Sequence, residues 1–252
     1  MSAATLESTK RTERIRSKFC DREVLAVRWG HFGTPVLLFP TAGGDAEECE
    51  RFKMLVVLRP LVEGGRIKVY ACDSVGGQAL TERKEQPVGY FPRMQNLFDR
   101  FVAEELVPWI REDCRTPDIG ILAAGASIGA FNAVAAVCRH PEIFTKAIGM
   151  SGTYDVSKWL EKEDVDQEFY FASPMHFLPN LGESPALKKL KERFVLLATG
   201  EGDYEDPDNS RRMARVLESR GVPHRFDSWG KEYRHDWTTW REMLPKYLEE
   251  MA

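Results

Sequence analysis

The sequence predicts an α/β fold, with a mostly parallel central sheet flanked by helices on both faces. Three observations lead there. Short apolar runs of strand length alternate with helical patterns along the 252 residues, the order expected of β–α–β units. Several of those runs are apolar throughout, as strands buried on both faces must be. The chain is 43% hydrophobic and 29% charged, a usage that buries a large core without disulfide staples.

Each element follows in chain order. Residues 23–29 (EVLAVRW) alternate in polarity and read as an early antiparallel strand. Residues 35–39 (PVLLF) form a continuous apolar run, stopped by the flexible loop Pro40-Thr41-Ala42-Gly43-Gly44. Residues 67–72 (IKVYAC) are the next strand. Between 94 and 110, Leu97, Phe98, Phe101, Val102, Leu106, Val107 and Ile110 recur at spacings of three and four, which makes one face of a helix. Residues 118–124 (DIGILAA) are a third buried strand, followed by a small-residue helix over 128–138. Residues 146–150 (KAIGM) and 194–198 (FVLLA) are further strands. A helix over 209–220 closes at Gly221, where a C-terminal cap is expected. Residues 224–229 (HRFDSW) form the last strand. The final helix runs over 236–251, with Pro245 expected to kink or interrupt it. Residues 154–190 have no clean period. They read as a cap or insertion over a site within one domain spanning 1–252.

Composition excludes several function classes. Lys plus Arg number 35 against 39 Asp plus Glu, a net charge of −4, without the basic surplus that nucleic-acid binding needs. The N-terminal stretch to Phe19 lacks the apolar core of a signal peptide and reads as a solvated arm. No run of about 18 apolar residues exists, so no membrane span is expected. Cys20, Cys49, Cys72, Cys114 and Cys138 are scattered, with no C-x-x-C or metal-site pattern. They read as thiols of a reducing, cytoplasmic setting.

Gly125-Ala126-Ser127-Ile128-Gly129 fits Gly-x-Ser-x-Gly and lies between a buried strand and a helix. That is the strand–turn–helix setting of a nucleophile elbow. The turn is tight, so the flanking positions must lack bulk. The turn also sets the Ser127 hydroxyl at a helix N-terminus, where the N–H of Ile128 points at a forming oxyanion. The bland alternative is a helix-capping serine.

A serine needs a base. Of five histidines, His235 lies in the loop after the last strand, where a Ser…acid…His order places the base. His224 begins a strand and reads as structural. His140 reads as a partner of a helix C-terminus. His31 lies in an early loop, and His176 in the cap candidate. The acid belongs in the loop 199–208, which holds Glu201, Asp203, Glu205, Asp206 and Asp208. Its location is clear and its identity open. Asp236, adjacent to His235, is a weaker candidate. The second oxyanion donor belongs in the loop after residues 35–39, where the N–H of Ala42 is favoured, with Thr41 and Gly43 beside it. No Gly-Lys-Ser/Thr follows, so this is not a P-loop, and no strand–helix junction carries G-x-G-x-x-G.

These stretches resemble a known group. FPTAGGD near residue 40, GASIGAFNAVAAVCRHPEIF from Gly125, SGTYD from Ser151 and WGKEYRHDWTTWREMLPKYL from Trp229 are similar to the esterase D-like, enterochelin-esterase-like and antigen-85-like branch of the α/β-hydrolase superfamily. The resemblance implies an α/β-hydrolase fold, with Ser127 as nucleophile and His235 as base. The usual offset in that fold favours Asp203 as acid, whereas close relatives place a glutamate after an aromatic, which Tyr204-Glu205 matches.

The expectation is a serine carboxylesterase acting on a small-molecule ester through an acyl-enzyme, with no metal or cofactor. An acyltransferase or peptidase using the same triad, or a non-catalytic binding module on the same scaffold, are the alternatives. The sequence leaves homo-oligomerisation open. Tyr154, Trp159, Phe169, Tyr170, Trp229 and Trp237 read either as pocket lining or as packing.

Overall fold

Eight strands form one sheet in the computed structural model, which describes residues 5–252 apart from the side chain of Asp164. They are β1 (Arg11–Ser17), β2 (Arg22–Trp29), β3 (Thr34–Phe39), β4 (Ile67–Cys72), β5 (Ile121–Ala126), β6 (Phe144–Met150), β7 (Phe194–Thr199) and β8 (His224–Ser228). Their order is β1-β2-β4-β3-β5-β6-β7-β8. β1 pairs antiparallel with β2 and β2 with β4, while every other pair is parallel. The expected mostly parallel sheet is therefore present, and the early strand is antiparallel as read.

Alternation along β3 explains the two layers. Leu37 and Phe39 face one core, with Phe98, Phe101, Ala130, Val134 and Leu217. Val36 and Leu38 face the other, with Leu55, Leu58, Trp240, Met243 and Tyr247. Helices Tyr90–Phe101, Ile128–Arg139 and Pro207–Ser219 therefore cover one face, and Met54–Glu63 and Trp237–Met251 the other. Successive strand side chains point to opposite faces, so a short all-apolar strand needs cover on both.

Several expectations change. The N-terminal arm contains a strand, β1, whose register pairs Ile15 with Val24. Its composition (RTERIRS) hid it, because an edge strand with charges outward carries no apolar run. Residues 1–4 of that arm lie outside the described residues. The strand read at 118–124 is Ile121–Ala126, closer to the elbow. Pro245 does not interrupt the final helix, which runs unbroken over Trp237–Met251 and buries Trp240, Met243, Leu244, Tyr247 and Leu248. Burial of that face outweighs the roughly 3 kcal/mol an interior proline costs. His140 Nε2 donates to Asp99 Oδ2 (2.9 Å) instead of serving only a helix end. The helix read over 94–110 is present as Tyr90–Phe101 and Val107–Cys114, joined by a π turn over Val102–Leu106. Pro108 follows that turn, and a wider turn accommodates its missing N–H and ring.

All five cysteines are free thiols. Among the described residues no helix is long and apolar enough to cross a membrane.

At the end of the sheet opposite the Ser127 turn, Asp113 organises a buried charge cluster. Its carboxylate lies 2.5 Å from Lys68 Nζ and 3.3 Å from Arg28, and it accepts from the Tyr70 hydroxyl at 2.7 Å. Lys68 and Asp113 side chains are only 6% and 7% exposed. Burial alone would push the Asp113 carboxyl up, but Lys68, Tyr70 and Arg28 hold it below its ordinary value. A depressed carboxyl stabilises the fold above its unfolded-state pKa and loses that contribution as pH falls through its folded value. Replacing Asp113 with Ala leaves the buried Lys68 and the half-buried Arg28 without a carboxylate, and it should cost roughly 3 kcal/mol in a denaturant titration at neutral pH. The acid-side decline of stability below about pH 4 should also flatten in that variant. A loss under about 1 kcal/mol would contradict this account.

Candidate active site

The Ser127 turn is built by steric exclusion. β5 ends at Ala126, and the helix Ile128–Arg139 starts directly after Ser127, whose φ is 57° and ψ −121°. A non-glycine residue there is strained by about 1–3 kcal/mol. A Cβ on Gly125 would sit 2.3 Å from the Gly129 carbonyl, and one on Gly129 would sit 2.4 Å from the Phe39 carbonyl oxygen. Both glycines are therefore required, because the turn packs directly against the end of β3. The Ser127 N–H donates to Met150 O (3.0 Å), and its carbonyl accepts from Ala130 and Thr153 (3.1 and 3.2 Å). The backbone is clamped from both sides. The Ser127 side chain makes no cap hydrogen bond, so the capping alternative does not describe it.

The loop after β3 is held by a buried carboxylate the sequence did not flag. Glu48 accepts from the Thr41 N–H (2.8 Å) and the Thr41 hydroxyl (2.5 Å). Burial pushes the Glu48 carboxyl up, and the two Thr41 hydrogen bonds oppose that shift. Thr41 has thus spent its amide on Glu48. Among the described residues the amides of Ala42 and Ile128 have no protein acceptor. Ala42 packs on the apolar cluster that contains Ile128.

The five carboxylates of the loop after β7 separate by environment. Glu201 accepts from Ser228, and Asp208 pairs with Arg211. Asp206 caps the helix Pro207–Ser219 by accepting from the Asn209 N–H. Asp203 is exposed, and its backbone carbonyl accepts from the His235 N–H at 3.0 Å. Glu205 alone turns inward, with a side chain 1% exposed and Oε2 3.7 Å from His235 Nδ1. Its Oε1 accepts from Ser151 Oγ at 2.5 Å, and Oε2 accepts from Thr199 Oγ1 at 3.2 Å. The 3.7 Å separation exceeds a hydrogen bond. Asp236, the weaker acid candidate, instead accepts from the Thr238 N–H as the cap of the final helix.

Three backbone hydrogen bonds sew the acid loop to the His235 loop: Glu201 to Gly230 O (2.9 Å), Gly202 to Tyr233 O (2.9 Å) and His235 to Asp203 O (3.0 Å). Gly200 and Gly202 allow that approach, since a Cβ on Gly200 would lie 1.9 Å from Tyr233 O. His235 is half-buried, and its ring meets Trp240 edge-on at 5.2 Å. The turn after β6 links Glu205 and His235 to the serine turn. Thr153 donates to Ser127 O, and Ser151 donates to Glu205. Sequence reading passed over Ser151, Thr199, Trp240 and Glu48. Ser151 and Trp240 lay inside the SGTYD and HDWTTW blocks that carried the family resemblance, but their partners are far along the chain.

The aromatic candidates also separate. Tyr154 and Phe169 are fully buried packing. Trp229 donates to the Tyr247 hydroxyl, on the opposite core. Trp159 stays partly exposed, and Trp237 stacks on Phe52 at 4.9 Å. A groove of about 1630 Å³ opens at the Asp113 end of the molecule, lined by Arg11, Arg28, Phe32 and Trp109 among others. None of the candidate catalytic residues lines it. In open α/β sheets ligands bind at the carboxyl ends of the strands, where Ser127 and the acid and base loops lie.

The sequence model of the Esterase family matches residues 61–251. The chain belongs to this family. The family resemblance read from the sequence is thereby borne out, and the esterase is a hydrolase acting on ester bonds. The match begins after the Ala42 loop, so it spans Ser127, Glu205 and His235 but not that oxyanion candidate. A comparison with curated protein sequences finds no match. Among solved structures, the esterase is similar to a ferulic acid esterase (TM-score 0.73, 18% identity, covering 95% of this chain and 96% of the other). It is also similar to an S-formylglutathione hydrolase from Agrobacterium tumefaciens (TM-score 0.74, 14% identity, 99% and 95% covered). A fluorophosphonate-binding serine hydrolase of Staphylococcus aureus gives a TM-score of 0.66 at 13% identity, with 96% and 98% covered. At these identities the likeness establishes the α/β-hydrolase fold.

Proposed function

We propose that this esterase is a serine carboxylesterase that works through an acyl-enzyme on Ser127. The observation that carries the reading is the strained Ser127 turn, with an uncapped hydroxyl and two sterically required glycines. His235 is the base and Glu205 the acid, because Glu205 is the inward carboxylate beside the imidazole. Ser127 Oγ attacks the ester carbonyl carbon while His235 Nε2 takes the hydroxyl proton. The N–H groups of Ile128 and Ala42 hold the tetrahedral oxyanion, each such donor being worth about 3 kcal/mol of barrier. Collapse breaks the carbon–oxygen bond to the alcohol, which leaves with the proton from His235. Water then attacks the acyl carbon by the same route, with His235 again carrying the proton. Glu205 holds the Nδ1–H side of the ring and stabilises its charged form.

Residues 1–252 act in this reading as one catalytic domain, with 154–190 as its cap. Leu160 packs on the cluster of Ala42 and Ile128, Trp159 O accepts from Arg83, and Lys158 pairs with Asp206 beside the acid. The segment thus borders both the oxyanion loop and the acid loop, where it can select the ester.

An alkyl fluorophosphonate tests the nucleophile directly. It should phosphonylate the wild type with loss of fluoride, placing a single adduct on the Ser127 peptide, and leave Ser127→Ala unlabelled. An adduct on another residue, or no adduct, would refute the assignment.

A further inference from the structure

We infer that Ser151 and Trp240 form a positioning relay that aims the Glu205 carboxylate at His235; this rests on the reading of Glu205 as the acid. Ser151 is 3% exposed and sits directly after β6 with a φ of 48°. That left-handed backbone favours glycine, so a serine there carries a conformational cost. Its hydroxyl is fully engaged. Ser151 Oγ lies 2.9 Å from Trp240 Nε1 and 2.5 Å from Glu205 Oε1.

The chemistry of the indole sets the direction of the relay. Trp240 Nε1–H can only donate, so Ser151 Oγ must accept from it. The single hydroxyl proton of Ser151 then goes to Glu205 Oε1. A hydrogen bond to a charged acceptor in a buried site is short and strong. It pins Oε1 and leaves Oε2 as the oxygen beside His235 Nδ1. Thr199 Oγ1 cannot replace this contact, because its 3.2 Å bond goes to Oε2 and its proton also reaches Gly200 O.

Trp240 acts on both members of the pair. Its N–H fixes the acid through Ser151, and its ring packs edge-on against the His235 imidazole. Only 3% of Trp240 is exposed, and it sits in the first turns of the final helix, whose cap is Asp236. The helix start thus sets the base, and through Ser151 the acid, from one rigid element. That is the support a preorganised site requires.

The test is a double-mutant cycle read in kcat and KM on a chromogenic ester. Ser151→Gly removes the hydroxyl and suits the backbone, so the fold should survive. Trp240→Phe keeps an aromatic ring beside His235 and removes the N–H together with one ring of the buried indole. Ser151→Gly should lower kcat roughly 10- to 100-fold with KM changed by less than about twofold. Trp240→Phe should lower kcat by about fivefold, again at constant KM, and it carries the test if Ser151→Gly fails to fold. In a Glu205→Gln background, Ser151→Gly should change the residual kcat by less than about twofold, because the relay then has no carboxylate to aim. Equal losses in both backgrounds would mean that Ser151 acts through packing, and would overturn the relay. Wild-type kcat in Ser151→Gly would overturn it as well. Wild-type kcat in Glu205→Gln alone would remove the acid assignment itself, a different failure read from a different variant.

Discussion

Ser127→Ala is expected to lower kcat for short p-nitrophenyl esters by about four orders of magnitude or more, equivalent to about 5 kcal/mol of transition-state stabilisation. The effect is large because no other group can take the place of the covalent bond. The residual rate should come from the Ile128 and Ala42 amides and from binding alone, as in serine hydrolases whose nucleophile is removed. Thermal stability should not fall, since the Ser127 side chain makes no cap hydrogen bond that alanine would forfeit. Alanine inherits the same strained φ of 57°, so the strain is unchanged. Activity retained at more than about a tenth of the wild-type rate would show that the hydrolysis proceeds elsewhere.

The second large effect separates the two acid candidates. Glu205→Gln should lower kcat by roughly 10²- to 10⁴-fold, while Asp203→Asn should stay within about threefold of the wild type. The physical difference is environment. The Glu205 side chain is 1% exposed and faces Nδ1 of His235. There its charge is poorly screened and can favour the imidazolium that forms during attack. Asp203 is exposed, and it meets His235 only through its backbone carbonyl, which asparagine retains. A glutamine amide in place of the Glu205 carboxylate would keep the volume and lose the charge. Reversed magnitudes would return the role to Asp203 and require the loop to rearrange on substrate binding.

Much of the fold was legible because its signals are local. The all-apolar runs at β3, β5 and β7 announce strands covered on both faces. The spacing of Leu97, Phe98, Phe101 and Leu106 announces a helix. β1 was not legible, because its charges face water and only its pairing with β2 makes it a strand. The unbroken passage of the last helix through Pro245 was not legible either. Propensity opposes it, and burial of the Trp240–Leu248 face overrides propensity.

The candidate site divides along the same line. The serine turn is written in five consecutive residues, since the clash that demands Gly125 and Gly129 is between near neighbours and the end of β3. His235 and the acid loop were legible as positions in chain order. Which carboxylate turns inward was not, because that depends on the backbone reversal at Tyr204, whose φ is 64° and whose ring is left in solvent. Composition of the loop cannot reveal that reversal.

By itself, then, the sequence determined the layered sheet, the strand–turn–helix at Ser127, the loop of His235 and the family. Tertiary structure alone decided that Glu48 holds the Ala42 loop, that the carboxylate of Glu205 and not that of Asp203 lies beside the His235 ring, and that Ser151 and Trp240 stand behind it. The reason is range. Patterns of burial and turn sterics act between residues close in the chain, whereas a buried carboxylate is aimed by hydrogen bonds from the turn after β6 and from β7, with the final helix bonded to that turn, and these meet only after the sheet has assembled.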